Sequence, residues 1–156
     1  TTSLVSKSVG LFLKNPTQHR LLLEDPDLIE TAVEECLRVE SPLQIGNRQA
    51  REDIDLGHHR IKKGTYIHTS IAGANRDPAT FETPDTFDIT RKRNKHIAFI
   101  TGIHVCLGAT LARMEGRIAL GKLFQRFPKM KSNGTTARQP LARFRGYTHL
   151  PVKLHS

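Results

Sequence analysis

The sequence predicts a mainly α fold with small β-sheets (α+β), and three observations carry that expectation. Apolar residues recur at helical spacing in three separated stretches, Thr1 to Lys14, Asp25 to Ser41 and Leu107 to Phe127. Between the second and third, Leu43 to Ile71 breaks into short extended pieces, and Asn75 to Arg93 is rich in Pro, Asp and Thr. The chain has 156 residues, 37% hydrophobic and 25% charged, which is enough for one domain with a modest core.

The first stretch places Leu4, Leu11 and Val5, Phe12 on one stripe, so the chain opens inside a helix. Nothing before Thr1 caps it, which suggests the second part of a longer helix. Asn15-Pro16 marks a stop and a restart, with Asn15 as the expected cap of a short helix through Leu21 to Leu23. Asp25-Pro26 repeats the signal and launches a helix with Ile29, Val33 and Leu37 on its apolar face; Ser41-Pro42 ends it. Ile54 and Leu56 alternate with Asp53 and Asp55, His59 to Lys63 leads into Gly64, and Tyr66 to Ile71 reads as a strand. Phe81 and Phe87 are the expected anchors of the irregular stretch that follows. The last helix carries its apolar residues at Leu111, Met114 and Ile118, and Phe127-Pro128 closes it. Short strands around Gly134 and Gly146 are expected in the tail.

No stretch approaches the roughly 20 apolar residues that a membrane-spanning helix needs. Thr1 to Lys14 does not read as a signal peptide. Two cysteines, Cys36 and Cys106, are too few for a disulfide scaffold. The formal charge of +9 favours acidic partners without choosing among nucleic acid, anionic membranes and acidic proteins. His58-His59 and His104-Val105-Cys106 lack a second ligand pair at the spacing of a zinc site.

The residues that bear chemistry gather at Phe99-Ile100-Thr101-Gly102-Ile103-His104-Val105-Cys106-Leu107-Gly108, just before the last helix. A cysteine at a helix start meets unpaired N–H groups and the positive end of the helix dipole, which favour thiolate over thiol. Gly102 permits a tight turn and close approach to a flat cofactor, and Gly108 leaves room behind the sulfur. Phe99 is placed to shield the sulfur, and His104 to reach a cofactor carboxylate. Further back, Glu35 and Arg38 lie three apart on one helical face.

The spacing Phe-x-x-Gly-x-His-x-Cys-x-Gly, continued by Ala109 and Leu111-Ala112-Arg113, resembles the haem-binding loop of cytochromes P450. Glu35-Cys36-Leu37-Arg38 is similar to the family's Glu-x-x-Arg signature, a structural pair that ties its helix to the loop ahead of the cysteine. Arg48 corresponds to a strand arginine that pairs with a haem propionate, and an arginine fork suits a carboxylate. Asn75-Arg76-Asp77-Pro78 and Phe87-Asp88-Ile89-Thr90-Arg91 also resemble family segments. Three positions depart from the pattern. Ile100 stands where many bacterial members have Gly, which is expected to stiffen or displace the loop. Thr110 stands where many have Pro. Thr86, beside Phe87, stands where an Arg or His often closes the Glu-x-x-Arg network.

The resemblance implies that residues 1–156 form a single C-terminal portion of the P450 fold. In order it would hold the end of the oxygen-side helix, the Glu-x-x-Arg helix, a small sheet, the cysteine loop, the final helix and the tail, with the N-terminal portion absent. It implies a haem-thiolate monooxygenase carrying haem b, with Cys106 as iron ligand, that inserts one oxygen atom from O2 into a small apolar organic substrate. The thiolate donates electron density to iron and favours O–O cleavage, the role the family is known for. His104 and Arg48 would orient the propionates; Phe99, Gly102 and Gly108 would shape the cofactor site. The catalytic acid–threonine pair would end just before Thr1, so the oxygen-activating residues stay unassigned. Leu43, Gln44 and the turn near Phe144 are candidates for substrate contact. An acidic ferredoxin or flavodoxin-type electron donor would dock on basic residues such as Arg113, Arg117 and Lys122, and a cytoplasmic location is expected. Two other classes compete: a truncated, non-catalytic remnant with weak or no haem binding, and a nucleic-acid-binding module using Arg91-Lys92-Arg93-Asn94-Lys95-His96. The second lacks an aromatic stacking platform.

Overall fold

The computed structural model describes residues 1–155. Five α-helices and four two-stranded antiparallel ribbons make up its regular structure, a mainly α, α+β architecture. Helix α1 (Thr2–Lys14) packs on α3 (Ile29–Val39) and α5 (Ala109–Arg126), and α2 (Pro16–Glu24) folds back on α1. The core lies among these helices. Phe12 is fully buried there, edge-on to Phe87 at 5.3 Å and Phe124 at 4.9 Å between ring centroids. Gly116 lets α5 approach closely: a Cβ there would lie 3.0 Å from Leu4 Cδ2 and 3.5 Å from Val33 Cγ1.

Asn15 works differently from the expectation. Its side chain does not cap α2 but donates back to the Leu11 carbonyl at 2.8 Å, finishing α1 instead. Pro16 still opens α2, because a first-turn position needs no N–H. Asp25 does cap the 3₁₀ turn that leads into α3, accepting from the Asp27 N–H at 3.2 Å.

Strands β1 (Ile45–Gln49) and β4 (Tyr66–Ser70) pair in register Ile45 with Ser70 through Gln49 with Tyr66. Between them, β2 (Ile54–Asp55) and β3 (Arg60–Ile61) make a short hairpin. Helix α4 (Ile71–Ala74) follows, then residues 75–101 without regular structure, pinned by buried Phe81, Phe87 and Ile89. In the tail, β5 (Lys131–Ser132) pairs with β8 (Val152–Lys153), and β6 (Ala137–Arg138) with β7 (Tyr147–His149). The tail also returns to the start of the sheet: Gln44 N–H donates to the Arg143 carbonyl (2.8 Å) and Arg145 N–H to that of Pro42 (3.0 Å).

A buried ion network locks the tail to α1. Lys7, only 2% exposed, donates to the Ser41 carbonyl (2.8 Å) and pairs with Glu40 (3.1 Å). Glu40 in turn accepts two bonds from Arg138, whose guanidinium lies over Tyr147. Burial lowers the affinity of the Lys7 amine for its proton although Glu40 opposes the shift.

The apolar face of α5 is the main departure. Leu111, Met114 and Ile118 are 54%, 52% and 53% exposed, while Ala109, Gly116, Leu120 and Phe124 are buried. Gly116 turns inward where α1 and α3 come too close to admit a side chain. Apolar spacing thus marked a face of this helix that the described residues leave uncovered.

Candidate functional site

The cysteine loop is held by backbone bonds. Ile100 N–H donates to the Ile97 carbonyl at 2.8 Å, and Cys106 N–H to the Phe99 carbonyl at 2.9 Å. A 3₁₀ turn, Gly102–His104, lies between them, closed by Val105 N–H on the Gly102 carbonyl at 3.1 Å. The Cys106 carbonyl then accepts from Ala109 N–H, the first residue of α5, at 3.1 Å. The sulfur is therefore delivered at the helix start, on a loop whose two ends are tied to each other.

Two residues in this loop have positive φ. Gly102 at +68° needs no explanation beyond its lack of a Cβ. Ile100 at +61° is β-branched, and its side chain crowds the backbone in that region. The turn at position 100 is thus one that suits glycine, and isoleucine occupies it under strain of about 1–3 kcal/mol.

Cys106 is exposed, as are all of residues 101–108. It opens on a cavity of about 420 Å³ whose walls are chiefly apolar: Leu4 from α1, Leu37 from α3, Leu43, Phe99 and Ile100, with Phe144 from the tail. Gly108 lines the same cavity, and a Cβ built on it would meet nothing within 4 Å. At φ −86° the backbone of residue 108 does not itself require glycine. Any need for one comes from whatever fills the cavity.

Of the residues singled out from the sequence, Phe99, Cys106 and Gly108 line this cavity together with Leu43 and Phe144. Gly102 and His104 lie outside the lining, on the exposed side of the loop. Arg48 is on β1, where its Nη1 donates only to the adjacent Asn47 carbonyl at 2.8 Å. Among the described residues no carboxylate pairs with it, so its fork stays available to an anion.

Glu35 and Arg38 form a two-point pair (2.8 and 2.7 Å) with both side chains fully buried. Arg38 also donates to the carbonyls of Asn75 (2.9 Å), Pro84 (2.6 Å) and Thr86 (3.0 Å). Glu35 accepts further bonds from Asp88 N–H (3.1 Å) and Asn94 (2.9 Å), and pairs with Arg91 at 3.3 Å. Position 86 therefore contributes only its backbone, and the closing arginine is Arg91, five residues on. The signal for it lay in Phe87-Asp88-Ile89-Thr90-Arg91. Cys36, between the pair, is buried, and burial pushes its thiol up to about 12. It is a packing residue.

A second network escaped sequence reading. Glu34 accepts from Arg113 Nε with both oxygens (2.8 and 3.0 Å) and lies 3.0 Å from His96 Nε2. Burial alone would raise its carboxyl, but the hydrogen bonds from His96 and Arg113 and the Arg113 charge outweigh that and hold it at about 2. Arg113 stacks on the Phe99 ring, 4.7 Å to its centroid. Arg117 pairs with Glu30 at 2.6 Å, so two of the three basic residues named for docking are already partnered, while Lys122 remains exposed.

The cavity offers apolar walls with one thiol on them, which suits a flat apolar group that carries a soft metal.

Comparison with known proteins agrees with that chemistry. A family model described as Cytochrome P450 matches residues 21–151. The biotin biosynthesis cytochrome P450 of Bacillus subtilis is 48% identical over 97% of this chain and 39% of its own length. A putative cytochrome P450 140 of Mycobacterium tuberculosis is 41% identical over 99% of this chain and 35% of its own. Among solved structures, P450BioI in complex with an acyl carrier protein ligated with hexadec-9Z-enoic acid superposes with a TM-score of 0.95 at 47% identity, covering 98% of this chain and 40% of that one. CYP109E1 from Bacillus megaterium, in complex with testosterone, gives 0.96 at 32% identity, covering 99% and 43%. The chain thus spans about two-fifths of the length of these relatives. With its cysteine loop, its buried Glu-x-x-Arg pair and this likeness along nearly its whole length, the chain belongs to the cytochrome P450 family.

Proposed function

We propose that the protein acts as a haem-thiolate monooxygenase, in which Cys106 would hold the iron of haem b. The observation that carries this reading is the placement of the Cys106 side chain on the wall of a 420 Å³ apolar cavity, at the start of α5. Haem bound there would supply the activation of O2 and the transfer of one oxygen atom to a small organic substrate.

The chain's own residues have simpler tasks. Leu4, Leu37 and Phe99 exclude water from the cofactor faces. The 2.9 Å bond from Cys106 N–H to the Phe99 carbonyl fixes the backbone behind the sulfur. Arg48, which no carboxylate occupies among the described residues, and the exposed His104 would hold the cofactor's carboxylates. Gly102 and Gly108 keep the loop free of side chains where the cofactor approaches. Leu43 and Phe144 face the substrate across the cavity. An apolar substrate suits these walls, and two solved relatives hold an acyl-loaded carrier protein and testosterone. An acidic electron donor suits a chain of net charge +9, with Lys92, Arg93, Lys95 and Lys122 exposed and Arg113 and Arg117 contributing less because they are paired internally.

The exposure of residues 101–108 supports a rival reading, a chain that holds haem weakly and turns nothing over. One experiment addresses both. The haem-reconstituted protein is reduced under carbon monoxide, and its absorption is compared with that of Cys106→Ala. The red-shifted band of a thiolate-ligated complex is expected in the parent and absent in the variant. An identical spectrum in both removes the ligand assignment, and failure of the parent to retain haem favours the rival.

A further inference from the structure

We infer that Arg113 is a positioning residue for the thiolate loop: anchored by Glu34, its guanidinium holds the Phe99 ring and thereby the backbone that carries Cys106. Three segments distant in sequence converge on this contact. Glu34 comes from α3, Arg113 from the second turn of α5, and His96 and Phe99 from the loop before the cysteine. Arg113 Nε is shared by both carboxylate oxygens at 2.8 and 3.0 Å, a charge-assisted contact that tethers the guanidinium to Glu34. Its Cζ lies over the Phe99 ring, 4.7 Å from the centroid, close enough for cation–π attraction.

His96 fixes the other side of the carboxylate. Its Nδ1 accepts from Ala98 N–H at 3.2 Å, so the ring proton resides on Nε2 and points at Glu34 Oε2, 3.0 Å away. The His96 side chain is 1% exposed, which leaves it one orientation. Glu34 is thus held by two elements and can serve as an anchor. From Phe99 the constraint passes through one bond, its carbonyl accepting the Cys106 N–H at 2.9 Å. The other ties of the sulfur-bearing segment run within the loop or to α5. Phe99 also packs against the hydrophobic core, and Arg113 adds the polar tie between its ring and the Glu34 anchor.

A merely structural ion pair would affect stability and nothing at the sulfur. A positioning role predicts more. In the haem-free protein, amide hydrogen exchange at Cys106 is expected to quicken about tenfold in Arg113→Gln, which loses charge and stacking together. Arg113→Lys, which keeps an ion pair with Glu34 but loses the flat stack, should fall between. In the haem-loaded protein, Arg113→Gln should shift part of the reduced carbon monoxide complex from the thiolate-ligated to the thiol-ligated form. Only this second arm rests on the haem-thiolate reading; the first survives if Cys106 is not the iron ligand. Should Arg113→Gln fail to fold, Glu34→Gln frees the same guanidinium and is expected to speed Cys106 exchange similarly. Wild-type exchange at Cys106 in the folded variants overturns the inference.

Discussion

The buried Glu35–Arg38 centre and the Cys106 loop both depend on stretches without regular structure, yet they are built in opposite ways. At the first, both side chains are fully buried and Arg38 donates to Glu35 and three carbonyls. At the second, residues 101–108 are exposed and their own hydrogen bonds run between backbone groups. The difference assigns their tasks. Arg38 and Glu35 set the path of the irregular chain from Asn75 to Asn94, so that the loop begins at a defined place. The loop leaves its sulfur exposed and outside any disulfide. A site meant to receive a cofactor has to leave its own partners unmade, and a neighbouring frame has to be over-determined for the open site to hold its shape.

The largest test of this contrast is to break the frame. Arg38→Met removes the two-point partner of the fully buried Glu35, leaving it Arg91, Asn94 and the Asp88 N–H, and frees the three carbonyls Arg38 held, which should cost about 3 kcal/mol in urea unfolding of the haem-free protein. Cys106→Ser, made in parallel on the exposed loop, should cost under about 0.5 kcal/mol. Comparable losses at the two positions would abolish the distinction between frame and loop.

The Glu34 anchor gives the next effect, and it is readable in pH. Its carboxyl stands at about 2 against an ordinary 4.5, so its stabilisation is present above the ordinary value and is lost as pH falls from about 4.5 towards 2. The full difference amounts to up to about 3 kcal/mol at neutral pH. Glu34→Gln should flatten the acid limb of the stability curve by that amount. An unchanged slope between pH 4.5 and pH 2 would mean that the anchor carries no charge-dependent stability.

Much of the frame could be read from the sequence, because it is written in local signals. Helical period and the Pro-led breaks at Asn15-Pro16, Asp25-Pro26, Ser41-Pro42 and Phe127-Pro128 marked the helices, and the spacing around Cys106 marked the loop. What stayed hidden is non-local. Glu34 meets Arg113 across 79 residues and Glu35 meets Asn94 across 59, and neither distance leaves a periodic trace. The orientation of α5 stayed hidden for another reason. Leu111, Met114 and Ile118 form the more apolar stripe, but Ala109, Gly116, Leu120 and Phe124 form the face that a close three-helix contact admits. Period identifies faces, and size decides which of them packs.

The smallest effect tests whether the loop is strained as well as open. Ile100 at φ +61° pays for a conformation that glycine adopts freely, about 1–3 kcal/mol. Ile100→Gly removes that strain but loosens the unfolded chain, which takes back about 0.5–1 kcal/mol, and it gives up some apolar contact at the cavity wall. A net gain of about 1 kcal/mol in haem-free stability is expected, with a control in the frame: Val33→Ala, fully buried in α3, should lose stability instead. A gain at 100 means the loop holds its shape against its own backbone preference, so the ties at Phe99 and Ala109 must impose it. A loss there would show that the isoleucine side chain, rather than those ties, keeps the loop in place, and the contrast between a contact-built frame and a backbone-tied loop would then fail at its open end.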